Sequence, residues 1–225
     1  MNCQLCNARL PVRLSLRDLV MLRPLTPPTI CERCRARFTR IDPAHACPGC
    51  SRPQEHTRLC LECAAWQHQY GWHLEHQALY TYNDAMKEYM HRYKFGGDYR
   101  LRTVFQAEVQ QRIRQLGADL VVPIPVTQTT MATRGFNQVL GILGDVPVTP
   151  VLRHRALDKV AQSHKTRRQR LQTPQPFILT DPTIVRDKRI LLVDDIYTTG
   201  RTLYHAATLI KAAQCHELVS LSLAR

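Results

Sequence analysis

What this sequence has little of narrows the classes of protein to which it can belong. Its longest apolar runs, such as residues 19–22 and 120–122, fall far short of the roughly 18 residues that a membrane span needs. The first ten residues, MNCQLCNARL, have no signal-peptide character. We therefore expect a soluble, cytoplasmic protein with no membrane span. Its 225 residues, 44% of them hydrophobic, can bury a core and leave room for one medium domain and one small domain.

Cysteine is almost absent after residue 63, where Cys215 stands alone, and we expect Cys215 to lie in the core. The other eight cysteines form Cys-x-x-Cys pairs. A redox pair or chance clustering could explain one such pair. Four pairs within 63 residues instead predict two closed structural zinc sites, because two thiolates at a tight turn hold half of a tetrahedral ion's shell. The pairs are Cys3/Cys6, Cys31/Cys34, Cys47/Cys50 and Cys60/Cys63.

The pairing of these cysteines decides the architecture of the N-terminal part. Sequential pairing, with the first four on one ion and the last four on the other, gives a tandem zinc ribbon, whereas a cross-braced arrangement stays open. We prefer the sequential version because the segment around Pro43 looks like a joint between modules. The short gap between Cys50 and Cys60 also closes a loop at low entropic cost. We predict a double zinc ribbon over residues 1–70 and a second domain over 71–225.

The positive charge is not concentrated in the ribbon. The formal net charge is +13, but a Zn²⁺ ion with four thiolates carries about −2, so two sites lower the total to about +9. The basic excess lies in the larger domain, above all in residues 153–170, where seven Lys/Arg accompany one Asp. That segment is either a solvated basic surface or an anion-binding flap. We favour a structural or partner-docking ribbon over a DNA-reading one.

The larger domain alternates predicted strands and helices, which is typical of a parallel or mostly parallel sheet. Asn83 is a plausible N-cap and Gly117 a plausible C-cap. The predicted strands are 77–82, 119–125, 148–152, 177–179, 190–193 and 218–223. The predicted helices are 84–94, 101–116, 136–143, 163–171 and 202–215. The fold class is therefore α/β.

One stretch of this domain carries chemistry: residues 189–203, RILLVDDIYTTGRTL. The apolar run at 190–193 is too short and too evenly apolar for an amphipathic helix, so it predicts a parallel strand covered on both faces. Ligands collect at the carboxyl ends of such strands. The Thr/Gly turn before the next helix presents backbone N–H groups to an anion such as phosphate. Two adjacent acids would repel that phosphate unless they bind another part of the ligand. The vicinal hydroxyls of a ribose fit this requirement.

In these residues the chain resembles the type I phosphoribosyltransferases, and within them the ComF family. The resemblance covers nearly the whole chain. It rests on the paired cysteines, on KFGGD at 94–98, on VPIP at 122–125, on RGFNQ at 134–138, on QSH at 162–164 and on VDDIYTTGRT at 193–202. It implies a phosphoribosyltransferase fold behind the N-terminal double zinc ribbon.

The resemblance also implies roles for particular residues. Asp194 and Asp195 would hold the 2′ and 3′ hydroxyls of phosphoribosyl pyrophosphate, and Mg²⁺ would bridge the hydroxyls and the pyrophosphate. The 5′-phosphate would be cradled by residues 198–202, hereafter the phosphate loop: Thr198, Thr199, Gly200, Arg201 and Thr202. The candidates for charge at the pyrophosphate are Lys94, Arg134, Lys165 and Arg167.

Two classes of function follow from the resemblance. As an enzyme, the protein would transfer phosphoribosyl to or from an unidentified acceptor, by electrostatic stabilisation without a nucleophilic side chain. As a binding protein, it would sense a ribose phosphate, or hold single-stranded DNA or a partner. ComF-like proteins are linked to natural competence, so the implied partners are incoming single-stranded DNA and a ComFA-like helicase-type ATPase. Nearby aromatics could stack on bases, although Tyr89 and Tyr93 are expected to pack inside.

Overall fold

The structure, a computed structural model, describes residues 1–11, 28–155 and 174–225. Within these ranges no helix combines the length and the apolar character that crossing a membrane requires. The strands are β1 (Glu75–Tyr80), β2 (Leu120–Pro123), β3 (Leu152–His154), β4 (Phe177–Leu179), β5 (Arg189–Ile196) and β6 (Glu217–Ala224). The helices are α1 (Glu32–Arg35), α2 (Leu61–Tyr70), α3 (Asp84–Lys94), α4 (Thr103–Leu116), α5 (Gln128–Arg134), α6 (Gln138–Leu143) and α7 (Arg201–Ala212).

Four of the strands form the predicted parallel sheet, in the order β1-β6-β5-β2. Strand β5 is central, because it pairs with β6 on one side and β2 on the other. Its apolar run, Ile190–Val193, is buried almost completely. An unbroken apolar run is what a strand needs when both of its faces are covered.

Two helix caps lie at the residues that the sequence predicted. The side chain of Asn83 accepts a hydrogen bond from the N–H of Met86 and caps α3. Gly117 ends α4 in the left-handed conformation, with φ of 57°. The predicted helix at 163–171 lies outside the described residues.

The strand predicted at 148–152 was placed wrongly. Strand β3 begins only at Leu152 and pairs antiparallel with β4 in a separate two-stranded sheet. The N–H of Thr149 still donates to the carbonyl of Val121 on β2 at 2.8 Å. The N–H of Val151, which would make the next bond to β2, donates instead to the carbonyl of Thr149 at 2.9 Å in a tight turn around Pro150, so the pairing with the main sheet stops there. Helix α5 was not predicted at all.

The N-terminal residues contact the sheet along its β1 edge and on both faces. The N–H of Ile41 donates to the carbonyl of Leu79 at 3.0 Å, and the N–H of His76 donates to the carbonyl of Gly49 at 3.2 Å. Cys34 shares one apolar cluster with Leu191 of β5. Cys63 shares the other cluster with Leu192. Successive strand residues point to opposite faces, so the two cysteine regions pack on opposite sides of the sheet.

Candidate functional site

Both acids of the central strand lie at its carboxyl end, as predicted, although the strand runs past the predicted end at Val193. Strand β5 extends to Ile196, and Asp194 is in register with Ser222 of β6. The N–H of Asp195 donates to Asp194 Oδ1 at 2.8 Å, and the N–H of Ile196 donates to Asp195 Oδ1 at 2.9 Å. Asp194 is partly buried and Asp195 is buried. The strand backbone therefore fixes both carboxyl groups at the carboxyl end of the sheet.

The two carboxyl groups have pKa values that are shifted in opposite directions. Burial, together with the negative charge of Asp195, raises the pKa of Asp194 well above its ordinary value. Burial alone would also raise the pKa of Asp195. The charge of Lys94 and the hydrogen bonds to Asp195 outweigh that burial and hold its pKa below the ordinary value. The site thus contains one carboxylate that stays ionised and one carboxyl group that holds its proton more tightly.

Lys94, at the end of α3, forms an ion pair with Asp195. Both side chains are nearly enclosed, with 14% of Lys94 and 8% of Asp195 exposed. The structure therefore brings this pyrophosphate candidate to the acid pair itself, a contact that the sequence did not indicate.

Arg134 also lies near the acids. It is the last residue of α5, and its guanidinium stands over the ring of Phe95 at 5.5 Å. Burial lowers the pKa of Arg134, and the nearby charge of Asp195 opposes that shift. Arg134 also donates to the side chain of Gln138, its partner within RGFNQ. The candidates Lys165 and Arg167 lie outside the described residues.

The phosphate loop joins β5 to α7, and its glycine is required by geometry. Gly200 caps α7 with a left-handed φ of 78°, and a Cβ at this position would collide with the hydroxyl of Tyr197. Helix α7 starts at Arg201, one residue earlier than predicted. Thr198 is exposed and Thr199 is buried. The loop therefore presents backbone N–H groups and the positive end of a helix dipole beside the acid pair.

Two side chains that the sequence reasoning missed reach this loop from α2. The indole Nε1–H of Trp66 donates to the carbonyl of Thr199 at 3.0 Å. Arg201 Nη1 donates to the hydroxyl of Tyr70 at 3.1 Å, so the Arg201 side chain turns toward α2. The signal that could have pointed to this face is the spacing of Trp66 and Tyr70, which lie four residues apart on one helix.

The eight paired cysteines come together as two groups of four, in sequence order and not cross-braced. The first group is Cys3, Cys6, Cys31 and Cys34, and the second is Cys47, Cys50, Cys60 and Cys63. Within each group, all Sγ atoms lie within 4.8 Å of one another.

The geometry of both groups fits zinc. A Zn–S bond of about 2.3 Å requires tetrahedral sulfur separations of about 3.8 Å. The Sγ atoms of Cys6 and Cys31 are 3.7 Å apart, and those of Cys50 and Cys60 are 3.6 Å apart. The N–H of Cys60 also donates to the Sγ of Cys47 at 3.2 Å, which stabilises a thiolate. Both groups could therefore hold zinc. Cys215 is only partly buried at the margin of the second apolar cluster.

Comparison with known proteins agrees with this architecture. The phosphoribosyl transferase domain family matches residues 107–225. The chain is 34% identical to the competence protein ComFC of Streptococcus pneumoniae over 225 residues, which cover 100% of both chains. It is 33% identical to the competence protein ComFC of Bacillus subtilis over 214 residues, which cover 91% of this chain and 86% of that one.

A solved allosteric regulatory enzyme of purine biosynthesis also aligns with the chain, at 17% identity and a TM-score of 0.34. The alignment covers 54% of this chain and 26% of that one, which is too weak a likeness to establish a shared fold. The two ComFC relatives and the matched domain are sufficient to identify the family. The chain belongs to the ComF family and contains a phosphoribosyltransferase domain.

Proposed function

We propose that the domain binds phosphoribosyl pyrophosphate or a related ribose phosphate together with Mg²⁺, and that the protein acts in the uptake or processing of single-stranded transforming DNA. The main support for a ribose-phosphate ligand is the acid pair on β5, which lies directly before the phosphate loop. A sugar that carries a phosphate has the same order of groups: two hydroxyls at one end and a dianion at the other. The role in DNA uptake is carried over from the competence proteins that the chain resembles.

In this proposal the acids bind the sugar. Asp195 is held ionised by Lys94, so it is ready to accept a hydrogen bond from a ribose hydroxyl. Asp194 must be ionised to do the same, and because burial and the charge of Asp195 raise its pKa, ligand binding should be coupled to release of its proton. The carboxylate oxygens are also the ligand type that Mg²⁺ prefers, and the ion would offset the charge of the pyrophosphate.

The remaining residues bind the two anionic ends of the ligand. The backbone N–H groups of the phosphate loop donate to the 5′-phosphate. Arg134 supplies positive charge at the pyrophosphate, with Lys165 and Arg167 as further candidates from the basic segment. Lys94 is assigned to Asp195 instead, because the two already form an ion pair.

If turnover occurs, the bond from the anomeric carbon to the pyrophosphate oxygen breaks, and its electron pair leaves with pyrophosphate. The ribose carbon then accepts an electron pair from the acceptor. Arg134 would stabilise the departing anion, so the protein supplies position and charge, with no covalent intermediate. A ribose-phosphate sensor would use the same contacts without breaking this bond.

Calorimetric titration with phosphoribosyl pyrophosphate, with and without Mg²⁺, tests the proposal. The variant is Asp194→Asn/Asp195→Asn, and the matched control is Asp187→Asn, an exposed acid near the opposite end of β5. We expect saturable binding that requires Mg²⁺ and both site acids and that survives in the control. Absence of binding by the folded wild-type protein would refute the proposal. Release of pyrophosphate with a candidate acceptor would distinguish an enzyme from a sensor.

A second function, contact with single-stranded DNA, is favoured by exposed aromatics near the acid pair. Phe95 is 70% exposed, and Tyr82 and Tyr99 are each 42% exposed. Arg134 stands over the Phe95 ring, and Arg102 stands over the Tyr99 ring at 4.3 Å. Exposed rings beside cations are the usual means of stacking bases without reading their sequence. A ComFA-like ATPase would be the partner that feeds the strand.

Affinity for an oligodeoxythymidine at several salt concentrations tests this function. We expect Phe95→Ala to weaken binding about tenfold through lost stacking. Leu61→Ala, which removes a residue that is 89% exposed on α2, should have no effect. Alanine at Lys165, Arg167, Arg168 and Arg170 should lower the salt slope by about 0.7 for each lost phosphate contact. A slope near zero for the wild-type protein would exclude direct DNA binding.

A further inference from the structure

Helix α2 connects the second cysteine group to the phosphate loop. Cys60 caps the helix and Cys63 lies in its first turn. Trp66 and Tyr70, one and two turns further on, make the two hydrogen bonds to the loop. At 1.5 Å per residue, the ten residues of α2 span about 15 Å, and a helix of this length behaves as a rigid rod.

The contact of Trp66 orients a particular group of the loop. A trans peptide is planar, so its N–H points away from its carbonyl. Because the carbonyl of Thr199 accepts the indole N–H, the N–H of Gly200 in the same peptide unit faces away from Trp66. That N–H belongs to the anion-binding set of the phosphate loop. Trp66 is itself 6% exposed, so water does not easily replace it.

Ring stacking fixes α2 against the helix that follows the loop. Tyr204, on α7, stacks on Trp66 with ring centroids 4.7 Å apart and an interplanar angle of 25°. Tyr204 also stacks on Tyr70 and on Trp72, at 5.3 Å in each case. The Tyr204 hydroxyl accepts a hydrogen bond from the N–H of Leu74 at 3.0 Å. The indole of Trp66 is thus held by the ring of Tyr204 on α7 and by the carbonyl of Thr199.

We infer that Trp66 and Tyr70 are positioning residues of the phosphate loop, and that metal occupancy of the second cysteine group controls the affinity for ribose phosphate through them. This inference rests on the proposed function. The first cysteine group has no part in it, because that group packs on the other face of the sheet. The two groups, although alike in ligands, should therefore differ in their effect on binding.

The test compares two tryptophan variants, since the chain has only two tryptophans. Trp66→Phe keeps an aromatic ring against Tyr204 but removes the N–H that binds Thr199. Trp72→Phe is the matched control, because Trp72 stacks on the same tyrosine. We expect Trp66→Phe to weaken binding of phosphoribosyl pyrophosphate about three- to tenfold, the usual loss for one hydrogen bond. Trp72→Phe should stay within twofold of wild type at equal zinc content.

Two further readouts separate positioning from general stability. Hydrogen exchange of the amides in residues 197–203 should be faster in Trp66→Phe than in Trp72→Phe, without any ligand. In Trp72→Phe, where Trp66 is the sole tryptophan, selectively excited tryptophan emission should change saturably with phosphoribosyl pyrophosphate. Cys47→Ser, which breaks the second group, should weaken binding, whereas Cys6→Ser, which breaks the first, should not.

Equal affinity and equal loop exchange in the two tryptophan variants would overturn the inference. So would equal effects of the two cysteine variants at a measured loss of one zinc each. If Cys47→Ser does not fold, the tryptophan pair alone decides. If even the wild-type protein binds no phosphoribosyl pyrophosphate, the proposed function fails, and loop exchange in Trp66→Phe against Trp72→Phe still tests the positioning role.

Discussion

Replacing Lys94 by methionine should strongly destabilise the protein at neutral pH. Methionine keeps most of the apolar stem but removes the cation beside Asp195, of which only 8% is exposed. Breaking a buried pair in this way typically costs about 3–5 kcal/mol. For a chain of this size, each kcal/mol shifts the melting temperature by about 2–4 °C. We therefore expect the midpoint to fall by roughly 6–20 °C at fixed zinc and reductant.

The effect should grow with pH, because the sign of the pKa shift reverses. In the wild type the pKa of Asp195 is depressed, which contributes stability above the ordinary carboxyl pKa and loses it as the pH falls through the folded value. Without Lys94, burial alone would raise that pKa. A raised carboxyl pKa loses stability as the pH rises through it. The gap between wild type and Lys94→Met should thus be wider at pH 8 than at pH 6.

Thermal unfolding of a double-mutant cycle checks this reasoning. Lys94→Met/Asp195→Asn removes both charges of the pair and should recover most of the loss. Arg37→Met is the matched control, because Arg37 and Glu88 form an ion pair at 2.8 Å with about half of each side chain exposed. That variant should cost less than about 1 kcal/mol. If Lys94→Met costs no more than Arg37→Met, the buried ion pair does not stabilise the site.

Three other expectations concern the loop, the second acid and the metal. Gly200→Ala should weaken phosphoribosyl pyrophosphate binding at least tenfold, whereas Gly117→Ala, with a similar φ of 57° but an open surround, should cost only stability; equal binding would contradict the account. Because the pKa of Asp194 is raised, its contribution to stability is lost as the pH rises through that value, so Asp194→Asn should melt higher than wild type at pH 8 but not at pH 4. A coloured chelator should remove one zinc quickly from the group that contains exposed Cys6, and the other slowly from the second group, whose four cysteines are buried. The absorbance of the chelator–zinc complex should therefore rise in two phases, and a single phase would contradict this.

The parts of the fold that were predictable are those that local chemistry determines. The apolar run of β5 and its two acids are contiguous in sequence, and so are the turn and the cap of α7. Tyr89 and Tyr93 were predicted to pack inside because of their helical spacing, and they are 1% and 0% exposed. The cysteine spacing likewise limited the pairing to a few arrangements. In each case the deciding interactions span only a few residues.

The contacts that join distant segments were not predictable from one sequence. Trp66 and Thr199 are 133 positions apart, and no local pattern marks a tryptophan that bonds to a loop carbonyl. The pairing of Lys94 with Asp195 depends on where α3 ends over the sheet, so the sequence offered Lys94 only as one of four candidates for charge at the pyrophosphate. A tight turn around Pro150 ends the contact of this segment with β2 after Thr149, and β3 then forms at Leu152 because β4 lies beside it.

The contacts along β1 have a consequence for how the chain can be divided. An uncovered edge strand presents unpaired N–H and C=O groups that recruit other chains. Residues before β1 bond to this edge at Leu79 and His76, and they cover apolar surface on both faces of the sheet. A fragment that begins at β1 would therefore expose an unpaired edge strand and apolar surface, and it should aggregate. The cysteine-rich segment thus covers the sheet of the larger domain, and we expect that domain to be insoluble when it is expressed without this segment.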